Sequence, residues 1–497
     1  MSTSSPRAPR VESPPLLRLA ALAVALLGAG SHLRAAAEAL PAGRVIESVR
    51  CLADPRQSYA LYLPSSYDAS RPWPILYAFS ARARGSFPVQ LFSQAAERLG
   101  YIVAGSNNSR NGPVEPVLEA MQAVWMDTHQ RLAVDPVRVY TTGMSGATFP
   151  ALLLAFDRGL GIAAFGGALD PSQLPKTERR VDWLGVAGNG DFNFIPTKSV
   201  VQAMVERGAV ARFSSFEGGH AWPPEPVAAR ALEWLELGAM RSGHRPRDAA
   251  LIDTLLEQGL ARAKDLVAQG RLDEAAEENA ALAREFAGLR PVEALAAEAR
   301  RLRDTPEAGK ARKRERKMAE RDRSETQELL ALRTRVEDAA EDDRAPAPPS
   351  FDSSAEREGE DPWRLRRRLD GRIARLTQDL ESPDADKRIV ARWVLDRFYI
   401  ATCFSGGGQQ RGQRRFKAAL ADFDICSHMR PENPWPAYEK ARTHAARGDR
   451  KSALAALEDA IGLGFSDAAR LAEDPEWGEL RDDTDYVALR EKLRAPR

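Results

Sequence analysis

The chain has 497 residues, too many for one compact core, so two or three domains are expected. It is 43% hydrophobic and 28% charged, the balance of a globular protein with room for polar connecting segments. Its 71 Lys and Arg against 70 Asp and Glu leave a net charge of +1, so no global field draws in nucleic acid or an anionic membrane, and neither is expected as a partner.

The chain starts with the pattern of an export signal. Arg7, Arg10 and Arg18 precede an apolar run over residues 19–29, and Ala37-Glu38-Ala39 offers a cleavage site. The run is short for a bilayer span, and no Cys follows it as a lipoprotein would need. The expectation is a signal peptide over 1–39 that is removed, leaving a secreted or periplasmic protein without stable membrane insertion. Only three cysteines occur, Cys51, Cys403 and Cys426, which is no disulfide framework. Two readings stand side by side: Cys403 and Cys426 pair across neighbouring helices, or all three thiols serve as small apolar residues. The His and Cys residues show no metal-ligand spacing, so no metal is expected.

From 45 to 243 short apolar runs alternate with amphipathic stretches. Strands are expected at 74–79, 101–104, 138–141, 162–165, 183–187 and 211–216. Helices are expected between them at 91–99, 117–131, 148–158, 197–207 and 227–237. That alternation predicts an α/β fold: a parallel sheet with helices on both faces.

After Gly243 only helical patterns follow. Helices at 249–269, 272–286 and 291–303 make a helical segment over 249–304. Residues 305–362 hold a highly charged stretch, 310–343, read as a polar helix or a disordered segment, running into the Pro-rich 344–350. The basic residues within 310–317 read as a solvated helix face rather than a site for an anionic partner. The rest, 363–497, is helical again, with pairs at 384–404 with 412–429 and 435–447 with 450–463. The spacing is near the tetratricopeptide period, with Ala441, Ala445, Ala453 and Ala456 as small residues for close helix approach. A scaffold for a protein partner is one reading of this region. Helices that simply pack on the α/β domain or on each other are the other.

The chemistry concentrates in three segments. Gly143-Met144-Ser145-Gly146-Ala147 lies directly between an expected strand and an expected helix, where a nucleophile elbow needs small neighbours around its serine. Glu217-Gly218-Gly219-His220-Ala221-Trp222 follows the last strand, and a loop histidine presented by glycines suits a general base. The third member is a carboxylate ending a strand between the two, and Asp191, in Gly188-Asn189-Gly190-Asp191, fits best. Asp170 and Asp182 compete for that role but sit too early in the order or at a strand start. The oxyanion hole is expected from the backbone N–H of Gly146 with that of Ser80 or Ala81, in the loop after the 74–79 strand. Arg82 and Arg84 in the same loop read as exposed arginines by default.

These segments resemble, in order and spacing, the secreted esterases of the polyhydroxybutyrate-depolymerase and feruloyl-esterase group, with dienelactone hydrolases as distant relatives. The segment Asn107-Asn108-Ser109-Arg110-Asn111-Gly112 resembles a substrate-side loop of the same group. The resemblance covers about 45–238. It implies an α/β-hydrolase fold acting on carboxylic esters through Ser145, Asp191 and His220, with no cofactor. Two departures are Ala147 in place of a glycine and the absence of a His-Gly pair after the 74–79 strand. The rival readings are an exported helical-repeat scaffold with a degenerate hydrolase domain, and a serine peptidase of the prolyl-peptidase type. Esters are preferred over peptides because no propeller-like pattern precedes the catalytic segments.

Overall fold

In the computed structural model, residues 40–341 (apart from 160, 168 and 176–179) and 362–494 are described. The expected signal peptide and the Pro-rich run lie outside them. Eight strands form one sheet: β1 (Val45–Arg50), β2 (Ser58–Tyr62), β3 (Trp73–Phe79), β4 (Ile102–Ser106), β5 (Val134–Met144), β6 (Gly161–Phe165), β7 (Asp182–Gly188) and β8 (Ala211–Phe216). Their spatial order is β1-β2-β4-β3-β5-β6-β7-β8. From β4 through β8 every pairing is parallel. The expected parallel sheet is present, and two further strands that were not anticipated, β1 and β2, pair antiparallel at one edge. β1 mixes Val45, Ile46 and Val49 with Glu47, Ser48 and Arg50 and is half exposed, so it lacks the continuous apolar run that marked the inner strands.

That run exists because both faces of the sheet are covered. Tyr59, Leu61, Ile75, Tyr77, Val139, Ile162 and Trp183 point to one side. There they meet α2 (Val114–Arg131) and α3 (Thr148–Arg158) through Val124 and Leu152, and α4 (Phe194–Glu206) through Val201. Their neighbours Ala60, Leu76, Val103, Tyr140, Ala163 and Leu184 point to the other side, against Phe92 of α1 (Ser86–Leu99) and Leu232 of α5 (Glu225–Arg241). The period-two alternation of strand side chains thus feeds two cores from one ribbon.

The remaining elements are helical. α6 (Ala249–Ala268) and α7 (Leu272–Glu285) pack on α5 through Leu237, Met240, Ile252 and Leu282, and α8 (Glu293–Arg303) follows. Of the two readings of the charged stretch the helix is the one found: its described residues belong to a single helix, α9 (Pro306–Glu341). Its Leu329, Leu332 and Val336 recur at helical spacing among charges, and they pack on Leu365, Leu369 and Ile373 of α10 (Pro362–Asp379) and on Trp393 and Phe398 of α11 (Ala385–Tyr399). Lys198 of α4 pairs with Glu277 of α7 at 3.0 Å and Glu315 of α9 at 2.9 Å, joining three elements at one cation.

The continuous helix expected over 384–404 is interrupted. α11 ends at Tyr399 and runs into a π-helical turn, Ile400–Gly406, before the short α12 (Gly407–Gly412). A Cβ on Gly406 would lie 2.9 Å from Asp422 Oδ2 and one on Gly407 2.5 Å from the Phe423 ring, so bare backbone is what lets α13 (Phe416–Met429) approach. Cys403 and Cys426 form a disulfide between the π-turn and α13. Cys51 is free, and burial first, then the neighbouring Asp127, pushes its thiol up to about 12. α14 (Pro434–Ala446) and α15 (Arg450–Gly462) form the expected antiparallel pair, capped by the side chains of Asn433 and Asp449. The chain ends with α16 (Ala468–Glu473) and α17 (Thr484–Arg494). Among the described residues no helix is long and apolar enough to cross a membrane.

One buried ion cluster ties the helices to the sheet. Arg212 on β8 is bidentate to Glu285 of α7 at 2.6 and 3.0 Å and reaches Glu278 at 2.6 Å, while the Trp234 indole donates to Glu285 at 2.9 Å. Arg212 is 8% exposed and Glu285 2%, so removing one partner strands the other away from water. Arg212→Met is therefore expected to destabilise the chain by about 3–5 kcal/mol, read as a fall in the urea midpoint. An unchanged midpoint would show that the cluster is dispensable.

Candidate active site

β5 delivers its last residue to a tight turn, and Ser145 sits there with φ of 59°, in the left-handed region that a non-glycine residue enters at a cost. The turn Ser145–Ala147 passes at once into α3. Its neighbours have no room to be larger: a Cβ on Gly143 would lie 2.2 Å from the Ala147 carbonyl oxygen, and one on Gly146 2.2 Å from Asn111 Oδ1. Ala147, where the resemblance led to a glycine, is 3% exposed and packs its methyl into the core beneath the turn.

The two partners come from the next loops along the same sheet edge. His220 lies between β8 and α5, and Asp191 follows β7. His220 Nε2 is 2.8 Å from Ser145 Oγ, and Nδ1 is 2.9 Å from Asp191 Oδ1. With the proton on Nδ1, the ring donates to the carboxylate and accepts the serine hydroxyl's proton through Nε2. Asp191 is 1% exposed, and its Oδ1 also accepts from the backbone N–H of Asn193 at 2.8 Å. The competing carboxylates are occupied elsewhere: Asp170 caps a short turn by accepting from Ser172 N–H, and Asp182 pairs with Arg241.

Glycines let the acid and histidine loops cross. A Cβ on Gly188 would meet the Gly218 carbonyl oxygen at 2.4 Å, and Gly190 N–H donates to that oxygen at 2.8 Å. A residue the sequence reading passed over, Gly166, sits beneath the pair with φ of 53°. Its Cβ would stand 2.5 Å from Asp191 Oδ2 and 3.3 Å from His220 Nδ1, and its carbonyl accepts from Asn193 Nδ2 at 2.8 Å. The signal was present, a Gly-Gly pair directly after a strand, but nothing in the linear order ties it to Asp191.

The loop after β3 reaches the elbow through Asn111. Ser80 is buried after β3, and the Ala81 carbonyl accepts from the Asn111 N–H at 3.0 Å. Asn111 in turn lays its side-chain amide against Gly146, so the loops after β3 and β4 meet the elbow beside Ser145. Arg82 and Arg84 are exposed. Around the imidazole, the Phe192 ring lies 4.3 Å from the His220 ring, and Trp222 packs on Phe165 at 5.5 Å. On the facing helix α11, burial raises the carboxyl of Asp396 above its usual range, opposed by Arg430 and Arg392 and, less strongly, by His220. Among the described residues no three His, Cys, Asp or Glu side chains gather as a metal-binding group.

A mostly parallel eight-stranded sheet, helices on both faces and a strand–elbow–helix at its edge define the α/β-hydrolase fold, here followed by a helical C-terminal region. No protein-family model matches the chain, and no curated protein sequence does. Solved structures that it resembles include the S-formylglutathione hydrolase FrmB from Staphylococcus aureus, at 12% identity over 36% of this chain and 90% of that one, TM-score 0.30. A ferulic acid esterase aligns at 15% identity over 39% and 96%, TM-score 0.33. Esterase 2 of Thermogutta terrifontis, solved phosphorylated by paraoxon, aligns at 12% identity over 39% and 91%, TM-score 0.31. Scores this low carry nothing about substrate or activity, which must come from the site itself.

Proposed function

We propose that the protein is an exported serine hydrolase that cleaves carboxylic esters by acyl transfer. The observation that carries this reading is the continuous Ser145–His220–Asp191 hydrogen-bond relay, at 2.8 and 2.9 Å, on an elbow whose serine holds a left-handed backbone. His220 takes the Ser145 proton as Oγ attacks the ester carbonyl carbon, giving a tetrahedral oxyanion held by backbone N–H groups of Gly146 and of Ser80 or Ala81. His220 then protonates the departing alcohol, and the acyl group remains on Ser145. Water, deprotonated by the same imidazole, attacks the acyl-enzyme and releases the acid. Asp191 holds the ring in the productive tautomer and stabilises its protonated form.

Two further observations support parts of this reading. The Cys403–Cys426 disulfide suits an oxidising compartment outside the cytosol. A scaffold with a degenerate site would not require Ser145 to keep a costly backbone conformation within 2.8 Å of a histidine.

Turnover of p-nitrophenyl butyrate and methyl ferulate, set against a prolyl p-nitroanilide, tests the reading. Both esters are expected to be hydrolysed with higher kcat/KM than the anilide. Preference for the anilide would favour a peptidase, and no turnover of any of the three would favour the scaffold.

A further inference from the structure

We infer that helix α11 of the C-terminal region holds the acid loop of the catalytic site in register, with Trp393 and Arg397 as positioning residues for Asp191. This rests on the ester-hydrolase reading above. The loop Asn189–Asn193 has two sides. Its N–H groups are taken by the hydrolase domain: Asn189 N–H donates to the Phe216 carbonyl at 2.9 Å and Gly190 N–H to the Gly218 carbonyl at 2.8 Å. Two of its carbonyls are taken by α11. The Trp393 indole N–H donates to the Asn189 carbonyl at 3.2 Å, and the Arg397 guanidinium donates to the Phe192 carbonyl.

Those two carbonyls bracket Asp191, and their donors are four residues apart, one helical turn, on one face of α11. The donors are themselves fixed. Trp393 stacks on Phe194 with ring centroids 5.7 Å apart, and Arg397 pairs with Asp322 of α9 at 2.9 Å. Phe192, whose ring lies 4.3 Å from that of His220, packs into the same apolar cluster as Leu329, Leu332 and Trp393. The C-terminal helices therefore supply two of the loop's anchoring hydrogen bonds, one on each side of Asp191, from residues more than 200 positions away in the chain. A carboxylate serving a histidine must be held to within about 0.5 Å, and a misplacement of about 1 Å costs up to about 100-fold in rate.

The test uses the full chain without its first 39 residues and compares Trp393→Phe, Arg397→Met, the double variant and Arg397→Lys with the unsubstituted protein. Trp393→Phe keeps an aromatic ring against Phe194 and removes the donor, at the cost of a smaller side chain in a buried position. Kinetics on p-nitrophenyl butyrate are read with the thermal midpoint and the downfield proton resonance of the His220 Nδ1–H. The double variant is expected to lose about 10–100-fold in kcat with KM within about twofold, and to weaken or lose that resonance. Arg397→Lys, which still donates, is expected to recover most of the loss. If Arg397→Met fails to fold, Trp393→Phe alone decides, with a loss of about threefold or more in kcat expected at an assay temperature well below its own thermal midpoint. Turnover by the unsubstituted chain beside a double variant of unchanged kcat, or one that falls only in thermal midpoint, overturns this inference alone. An unsubstituted chain with no turnover overturns the hydrolase reading, and this inference with it.

Discussion

Ser145→Ala is expected to lower kcat for ester hydrolysis by on the order of 10⁶-fold while leaving KM near its original value. The hydroxyl is the only group at the elbow placed to attack, 2.8 Å from the nitrogen that would take its proton. Alanine leaves the backbone donors and the surrounding loops in place, so ground-state binding survives while the covalent path closes. Ser145 holds φ of 59°, and alanine must adopt it as well, so stability is expected to change little. The check is steady-state kinetics on p-nitrophenyl butyrate with the thermal midpoint measured alongside. A loss of less than about 100-fold would mean that another nucleophile acts.

Asp191→Asn is expected to cost about 10⁴-fold in kcat. Asp191 Oδ1 receives two N–H groups, from Asn193 at 2.8 Å and from His220 Nδ1 at 2.9 Å, inside a site where the residue is 1% exposed. An amide keeps the size but loses the negative charge that stabilises the imidazolium as Ser145 gives up its proton. It also lets the histidine settle in the tautomer with the proton on Nε2, from which it cannot accept the serine proton. Neither effect acts on bound ground-state substrate, so KM is expected to stay within a few-fold. A drop of less than tenfold would assign the acid role to another carboxylate, and Asp396 across on α11 would be examined next.

Much of this arrangement can be read along the chain, because the requirements are local. Strands buried on both faces must be largely apolar, so β3, β4, β6 and β7 stand out. An elbow needs Gly143 and Gly146 beside its serine, and the order Ser145, Asp191, His220 follows from successive loops at one sheet edge. The edge strand β1 escapes because it is half solvated, whereas β2 is as long as β4 and β6 and buried at four of its five residues, so neither length nor exposure explains its being missed. Helix α10 lies in the region read as helical, yet the helix pairs placed there begin only at 384, although Leu365, Leu369, Ile373 and Leu376 recur at helical spacing among its charges. Trp393 and Arg397 escape for a different reason. Each acts on the site only through folding-created proximity, and no residue type or spacing in the sequence announces it. The helical region shows the same divide: its helices are legible, but the contact that places α11 against the acid loop joins residues about 200 apart.

The most direct test is reaction of the chain without its first 39 residues with a fluorophosphonate, followed by intact mass and peptide mapping. The account predicts a single adduct, on the peptide carrying Ser145, that is lost in Ser145→Ala and sharply slowed in His220→Ala. A folded protein that takes up no fluorophosphonate, or takes it up on another residue, would contradict the claim that Ser145 is an activated nucleophile.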